Sequence, residues 1–164
     1  MIEAVSRDAI LLAGEDELSG KCRITFTKGS GPGGQKRNKT SSAVRVELPG
    51  FNAVATDCTE RSQFRNRSNA LRKLKMQIAF NHRNLPAVPP SSMTCAVTSP
   101  NYPFFAAHLL DVLEENSFDH RKSAAACQIS PSALLKKIHR DPDFWVLFQK
   151  RRKDAGLPAL HPPE

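Results

Sequence analysis

Residues Gly29 to Val46 read GSGPGGQKRNKTSSAVRV. The first six of them hold four of the chain's eight glycines and a proline. Gln35 follows, then Lys36, Arg37 and Lys39, and then an alternation through Val44, Val46 and Leu48 that predicts a strand. Upstream, residues 21–28 alternate as well, with Cys22, Ile24 and Phe26 on one face and Arg23, Thr25 and Thr27 on the other, which predicts a half-buried strand. Downstream, Pro49-Gly50 reads as a turn leading into a third strand over residues 51–56. A helix is predicted over residues 63–81, where Ala70, Leu71, Leu74 and Ile78 recur at helical spacing and Arg65, Arg72, Lys73 and Lys75 fall elsewhere. A short helix over residues 6–13, with Ser6 as its N-cap, precedes the first strand. The class read from these elements is α+β: a small antiparallel sheet packed by a helix, interrupted by a glycine-rich segment.

Gly31-Pro32-Gly33-Gly34 lacks a Cβ at three of four positions, so its backbone can reach positive φ and press against a ligand, while Pro32 restricts the approach. A phosphate loop of the G-x-x-x-x-G-K-[ST] type needs a glycine directly before Lys36, and Gln35 stands there. The dinucleotide pattern G-x-G-x-x-G can be laid on Gly29, Gly31 and Gly34, but a strand follows where that pattern needs a helix. Gln35 is neutral and a poor general base, with no Ser-His-Asp or Cys-His set around it in sequence. Chemistry at this segment therefore has to work by positioning water and donating hydrogen bonds.

The run S-G-P-G-G-Q-x-x-N-x-T-x-S-A-V-R, from Ser30 to Arg45, resembles the signature of the peptidyl-tRNA hydrolase domain of class I peptide chain release factors. A second segment, Glu60-Arg61-Ser62-Gln63 followed by Arg65-Asn66, resembles the acidic-R-S-Q-x-[KR]-N motif that opens the last helix of that domain. The resemblance spans residues 18–81. It implies entry into the peptidyl transferase centre of the large ribosomal subunit and hydrolysis of the ester joining a nascent peptide to tRNA. The implied catalytic residues are Gly33, Gly34 and Gln35. The Gln35 backbone N–H would stabilise the oxyanion or the leaving 3′-oxygen, its side chain would admit water, and the two glycines would let the main chain approach. The implied rRNA and tRNA contacts are Ser30, Pro32, Lys36, Arg37, Asn38, Lys39, Arg61, Gln63, Arg65 and Arg67. N5-methylation of Gln35 is a further expectation from the family. Two departures stand out: Lys36-Arg37 replaces the more usual His-apolar pair, and Pro49-Gly50 shortens a turn that is often Pro-Thr-Gly.

Charge agrees with a polyanionic partner. The 164 residues carry a net +8 with a pI near 9.6, and 40% are apolar, enough for a core. Residues 1–100 hold 15 lysines and arginines against 8 acids, whereas residues 101–164 hold 9 against 8. The first half is thus expected to make most of the nucleic-acid contact. The four cysteines lie 36, 37 and 32 residues apart with no C-x-x-C pair, so no metal site and no cofactor is expected. No secretory segment and no membrane span are read, which places the chain in the cytoplasm with reduced thiols.

The expected organisation is a hydrolase domain over residues 1–83, a proline-rich linker over 84–103, and an all-helical domain over 104–164. Helices are predicted over residues 104–115, 121–127, 130–139 and 144–155, the last ended by Gly156. Residues 122–138 have the spacing of a helix-turn-helix, with Ala124 at the helix contact, Ile129 in the turn, and Leu134 and Ile138 beneath the second helix. Phe144, Trp145 and Phe148 read as core. With no room for a stop-codon-reading domain in 164 residues, the chain is expected to act as a short rescue factor, monomeric off the ribosome. Its expected partners are the large subunit, rRNA and peptidyl-tRNA. Two other readings remain at this point: a non-catalytic rRNA-binding or ribosome-assembly module, and a helix-turn-helix regulator.

Overall fold

A computed structural model describes residues 6–27 and 43–163. The chain divides into two compact units, Met1–His82 and Arg83–Glu164.

The first unit is α+β, as expected. Helices α1 (Arg7–Leu12) and α2 (Glu15–Lys21) precede strand β1 (Arg23–Thr27). Strand β2 (Ala43–Leu48), a single 3-10 turn over Pro49–Phe51, strand β3 (Ala53–Asp57) and helix α3 (Gln63–Asn81) follow. The strands form an antiparallel sheet in the order β1-β2-β3, with Ile24 opposite Val46 and Val46 opposite Ala55. Val44, Val46 and Leu48 of β2 and Ala53 and Ala55 of β3 point to one side of the sheet and are buried with Ala70, Leu71, Leu74 and Ile78 of α3. Each such leucine or isoleucine contributes about 1.5–3 kcal/mol by leaving water.

α1 and α2 pack on α3, burying Ile10, Leu11 and Leu18. Lys75 ties α1 down: its Nζ donates to the carbonyl oxygens of Leu11 at 3.0 Å and Ala13 at 2.6 Å, satisfying two acceptors at the helix end.

Two features depart from the sequence reading. β1 was expected to be half buried, yet Phe26 is 48% exposed. α3 lies over β2 and β3, and a helix about 10–12 Å wide covers two strands spaced about 4.8 Å apart. β1 is left at the uncovered edge. The other departure is α2, which has a single buried residue, Leu18, and so no apolar period to read. Its support is electrostatic: Glu15, Asp16 and Glu17 lie in its first turn, and Lys21 pairs with Glu17 at 2.6 Å.

The second unit is helical: α4 (Tyr102–Glu115), α5 (His120–Ala126), α6 (Pro131–His139) and α7 (Pro142–Asp154). α4 is buried almost all round, from Tyr102 through Leu113, and Pro103 sits in its first turn, where a missing N–H costs nothing. The proline-rich segment before it is fastened to α4. Arg83 and the Asn84 N–H both donate to the buried Asp111 carboxylate, at 3.2 and 3.1 Å, and the Ala87 N–H donates to Glu115 at 3.1 Å. His108 Nδ1 meets the Val88 carbonyl at 2.8 Å. Polar backbone groups that a free spacer would give to water are thus bonded here to side chains of α4.

Asp119, Ser130 and Asp141 cap α5, α6 and α7. The α5–α6 corner is a Schellman turn: the Gln128 N–H donates to Ala125 and the Ile129 N–H to Ala124, with Gln128 at φ +54°. Ser123, Ala124, Cys127, Leu134 and Ile138 are buried at this corner, so α5 and α6 pack together across the turn where the helix-turn-helix spacing was read. Phe144 and Phe148 are core, and Trp145 packs edge-on against His139 at 5.1 Å.

Candidate functional site

Register places the strand ends that flank the first motif, and the start of the second. Thr27 pairs with Ala43, so the glycine-rich segment 28–42 leaves and re-enters the sheet from neighbouring strand ends. Val44 pairs with Asp57, so β3 finishes at that same end. α3 runs alongside with Gln77 near Val54, and Lys73 and Asn69 near Asp57. Its first residues, six positions before Asn69, therefore project past the sheet by about 9 Å at that end. The ends of β1 and β2 that flank residues 28–42 and the start of α3 with Arg61, Gln63 and Arg65 belong to one end of the unit.

Gly33, Gly34, Gln35, Ser30, Pro32, Lys36, Arg37, Asn38 and Lys39 lie outside the described residues. Arg61, Gln63 and Arg65 are exposed. Arg65 approaches Glu60 at 3.8 Å in a solvent-facing pair worth about 0–1 kcal/mol, a weak contact that a phosphate can displace. Arg67 stands apart from them: it pairs with Asp16 at 3.2 Å and so faces α2.

Ser62 caps α3, its Oγ accepting from the Arg65 N–H at 3.4 Å. Asn66, fully buried, holds the approach to the helix: its Oδ1 accepts from the Glu60 N–H at 2.8 Å and its Nδ2 donates to the Glu60 carbonyl at 2.9 Å. These two bonds lock Glu60-Arg61-Ser62 against the first turn. Asp57 secures the other side of the same connection. Its carboxylate accepts from Lys73 at 2.6 Å and from the N–H and hydroxyl of Thr59 at 3.1 and 2.8 Å. Burial raises the Asp57 carboxyl, but the hydrogen bonds from Lys73 and Thr59 outweigh it and hold the group below its ordinary value.

Sequence reading missed Phe64 and Asp57 and did not count Asn66 among the site residues. Phe64 is 69% exposed between Gln63 and Arg65. Its signal was negative: an aromatic at a position where α3 has no apolar neighbour three or four residues on. Among the described residues no group of His, Cys, Asp and Glu is arranged to hold a metal ion, and no helix is long and apolar enough to cross a membrane.

A three-stranded sheet covered by one helix, with a capped helix start carrying exposed Arg61 and Arg65 at one end, defines a small α+β domain. Residues 17–91 match the model of the RF-1 domain. The chain is 40% identical over 62 residues to peptide chain release factor 1 of Xylella fastidiosa, which is 38% of this chain and 17% of that protein. It is 43% identical over 56 residues to peptide chain release factor 1 of Kineococcus radiotolerans, 34% of this chain and 16% of the relative. With peptide chain release factor 2 of Thermosipho africanus the identity is 46% over 56 residues, 34% of this chain and 15% of the relative. The matched stretch is thus about one sixth of the length of these relatives. No solved structure matches the chain.

Proposed function

We propose that this protein hydrolyses peptidyl-tRNA on the ribosome, releasing the nascent peptide without reading a codon. The observation that carries the reading is the match of residues 17–91 to the RF-1 domain, supported by the nearness of the strand ends that flank residues 28–42 to the start of α3. The register brings the strand ends bearing segment 28–42 and the start of α3 to one end of the unit. In the reaction, water attacks the ester carbonyl, the bond to the tRNA 3′-oxygen breaks, and the proton ends on that oxygen. The Gln35 N–H stabilises the oxyanion or the departing oxygen, and Gly33 and Gly34 give the backbone room to aim it. Exposed Arg61 and Arg65 meet rRNA phosphates, and Phe64 between them offers a ring on which an unpaired base can stack. Lys36-Arg37 adds two cations directly after Gln35 in the sequence. The partners are the large subunit, rRNA and peptidyl-tRNA. The workplace is the cytoplasm, and the protein is monomeric off the ribosome.

Single-turnover peptide release from stalled ribosomes tests the reading. Losing an oxyanion donor costs roughly 10²–10³ in rate, and Gly34→Ala is expected to lose more than Gln35→Ala because it disturbs the aim of the N–H. Matched ribosomes carrying stop or sense codons in the A site should be released equally well. A marked stop preference excludes the codon-independent reading, and a more crippled Gln35→Ala excludes the backbone-centred one. Mass spectrometry of protein from its native host decides whether Gln35 carries an N5-methyl group.

A further inference from the structure

The second unit has a charge pattern that its net charge conceals. Within residues 101–164 all nine lysines and arginines fall between Arg121 and Lys153, whereas Asp111, Glu114, Glu115 and Asp119 precede them. Over residues 120–154, nine cations face three aspartates, a net of +6. One of the three, Asp141, is buried and engaged in capping α7.

α6 shows this charge in its most ordered form. Leu134 and Ile138, four residues apart, turn into the core. The opposite face carries Ser132, Lys136 and Arg140, again four apart, with His139 beside them, and all four are exposed. Among the described residues no ion pair engages Lys136, Lys137 or Arg140. Complementing the helix dipole does not account for this set, because the dipole offers only about half a negative charge at a C-terminus.

α6 is also the second helix of the stretch with helix-turn-helix spacing. Helix-turn-helix DNA readers contact bases from the first residues of this helix. Here those positions are Pro131 and Ser132, and the cations lie at the other end. Such an arrangement suits phosphate contact, which positions a backbone without reading its sequence.

We propose that the α6 stripe of Ser132, Lys136, His139 and Arg140, together with Lys137, docks the second unit on the phosphate backbone of double-helical RNA. The choice of RNA over DNA rests on the hydrolytic function proposed above, because a factor working on the ribosome is surrounded by RNA duplex.

The test uses the full-length protein and a duplex RNA of about 20 base pairs, with binding read by fluorescence anisotropy between roughly 50 and 200 mM KCl. Lys136→Ala/Arg140→Ala is expected to weaken binding about tenfold and to lower the salt slope by about 2. Ser132→Glu places a negative charge in a first turn, where a helix favours it, and is expected to weaken binding with unchanged circular dichroism. Equal affinity of wild type and both variants overturns the proposal. So does a DNA duplex of the same sequence that binds as tightly or more tightly through the same two cations. Release at saturating protein separates this inference from the one beneath it. Binding through α6 with no release by wild type sinks the hydrolytic reading and leaves the dock standing, whereas release without α6-dependent RNA binding sinks the dock alone.

Discussion

Asp57 illustrates how much a single carboxylate can secure. It sits at the end of β3, 3% exposed, and gathers Lys73 and Thr59 around it. Its folded value lies below the ordinary 3.8. A carboxyl whose folded value is depressed contributes stability that is fully present above the unfolded value and is lost as pH falls through the folded one. Urea midpoints measured across the acid range should therefore show wild type losing stability below about pH 4. Asp57→Asn should lose about 1–3 kcal/mol at pH 6 and show a shallower acid decline. An acid slope in Asp57→Asn equal to that of wild type would show that other groups titrate in this window. In the sequence Asp57 is only a polar residue after a strand; its role depends on Lys73, sixteen residues away and brought close by α3.

At the scale of elements, the start of α3 is set by two side chains of unequal legibility. Ser62 was readable as part of a motif, and the structure shows its side chain capping the helix. Asn66 was readable as a motif letter, but its two bonds to the Glu60 backbone became visible only with the chain folded back. Asn66→Ala leaves a buried N–H and carbonyl without that partner and should cost about 1–3 kcal/mol in urea unfolding. Asn66→Asp keeps the acceptor for the Glu60 N–H and loses the donor, so its cost should fall between wild type and Ala once measured above pH 6. An Asn66→Ala midpoint equal to that of wild type would show that the 58–62 connection holds without this lock. Other boundaries were legible where ordinary signals mark them: residues 63–81 carry a clear apolar period, and Gly156, at φ +74°, ends α7. The signals fail where a side chain takes on glycine's backbone. Ser117, Phe118 and Gln128 all stand at positive φ, between 50° and 58°, at helix exits that no glycine announces.

Across the whole molecule, the sequence was most legible where apolar periods and caps mark elements and least where long-range pairing decides what residues touch. The glycine-rich segment and the Arg61–Asn66 motif could be read as letters, while the nearness of the strand ends flanking the first to the start of α3 needed the pairing of Thr27 with Ala43 and of Val44 with Asp57. Averaged charge concealed the division between acids at residues 111–119 and cations at 121–153, which helical geometry resolves into a stripe on α6. Prolines suggested a spacer over residues 84–103, but composition could not show that its backbone bonds to α4. The last prediction follows from those bonds. A fragment of residues 83–164 contains the partners of α4 and should unfold cooperatively with helical circular dichroism. A fragment of residues 104–164 removes Arg83 and Asn84 from Asp111, which is 1% exposed, and the Val88 carbonyl from His108. Breaking a buried pair in this way costs about 3–5 kcal/mol, enough to unfold most of a small domain. Equal unfolding midpoints for the two fragments would show that residues 83–103 are a spacer after all, and that the buried Asp111 finds its compensation within the helices.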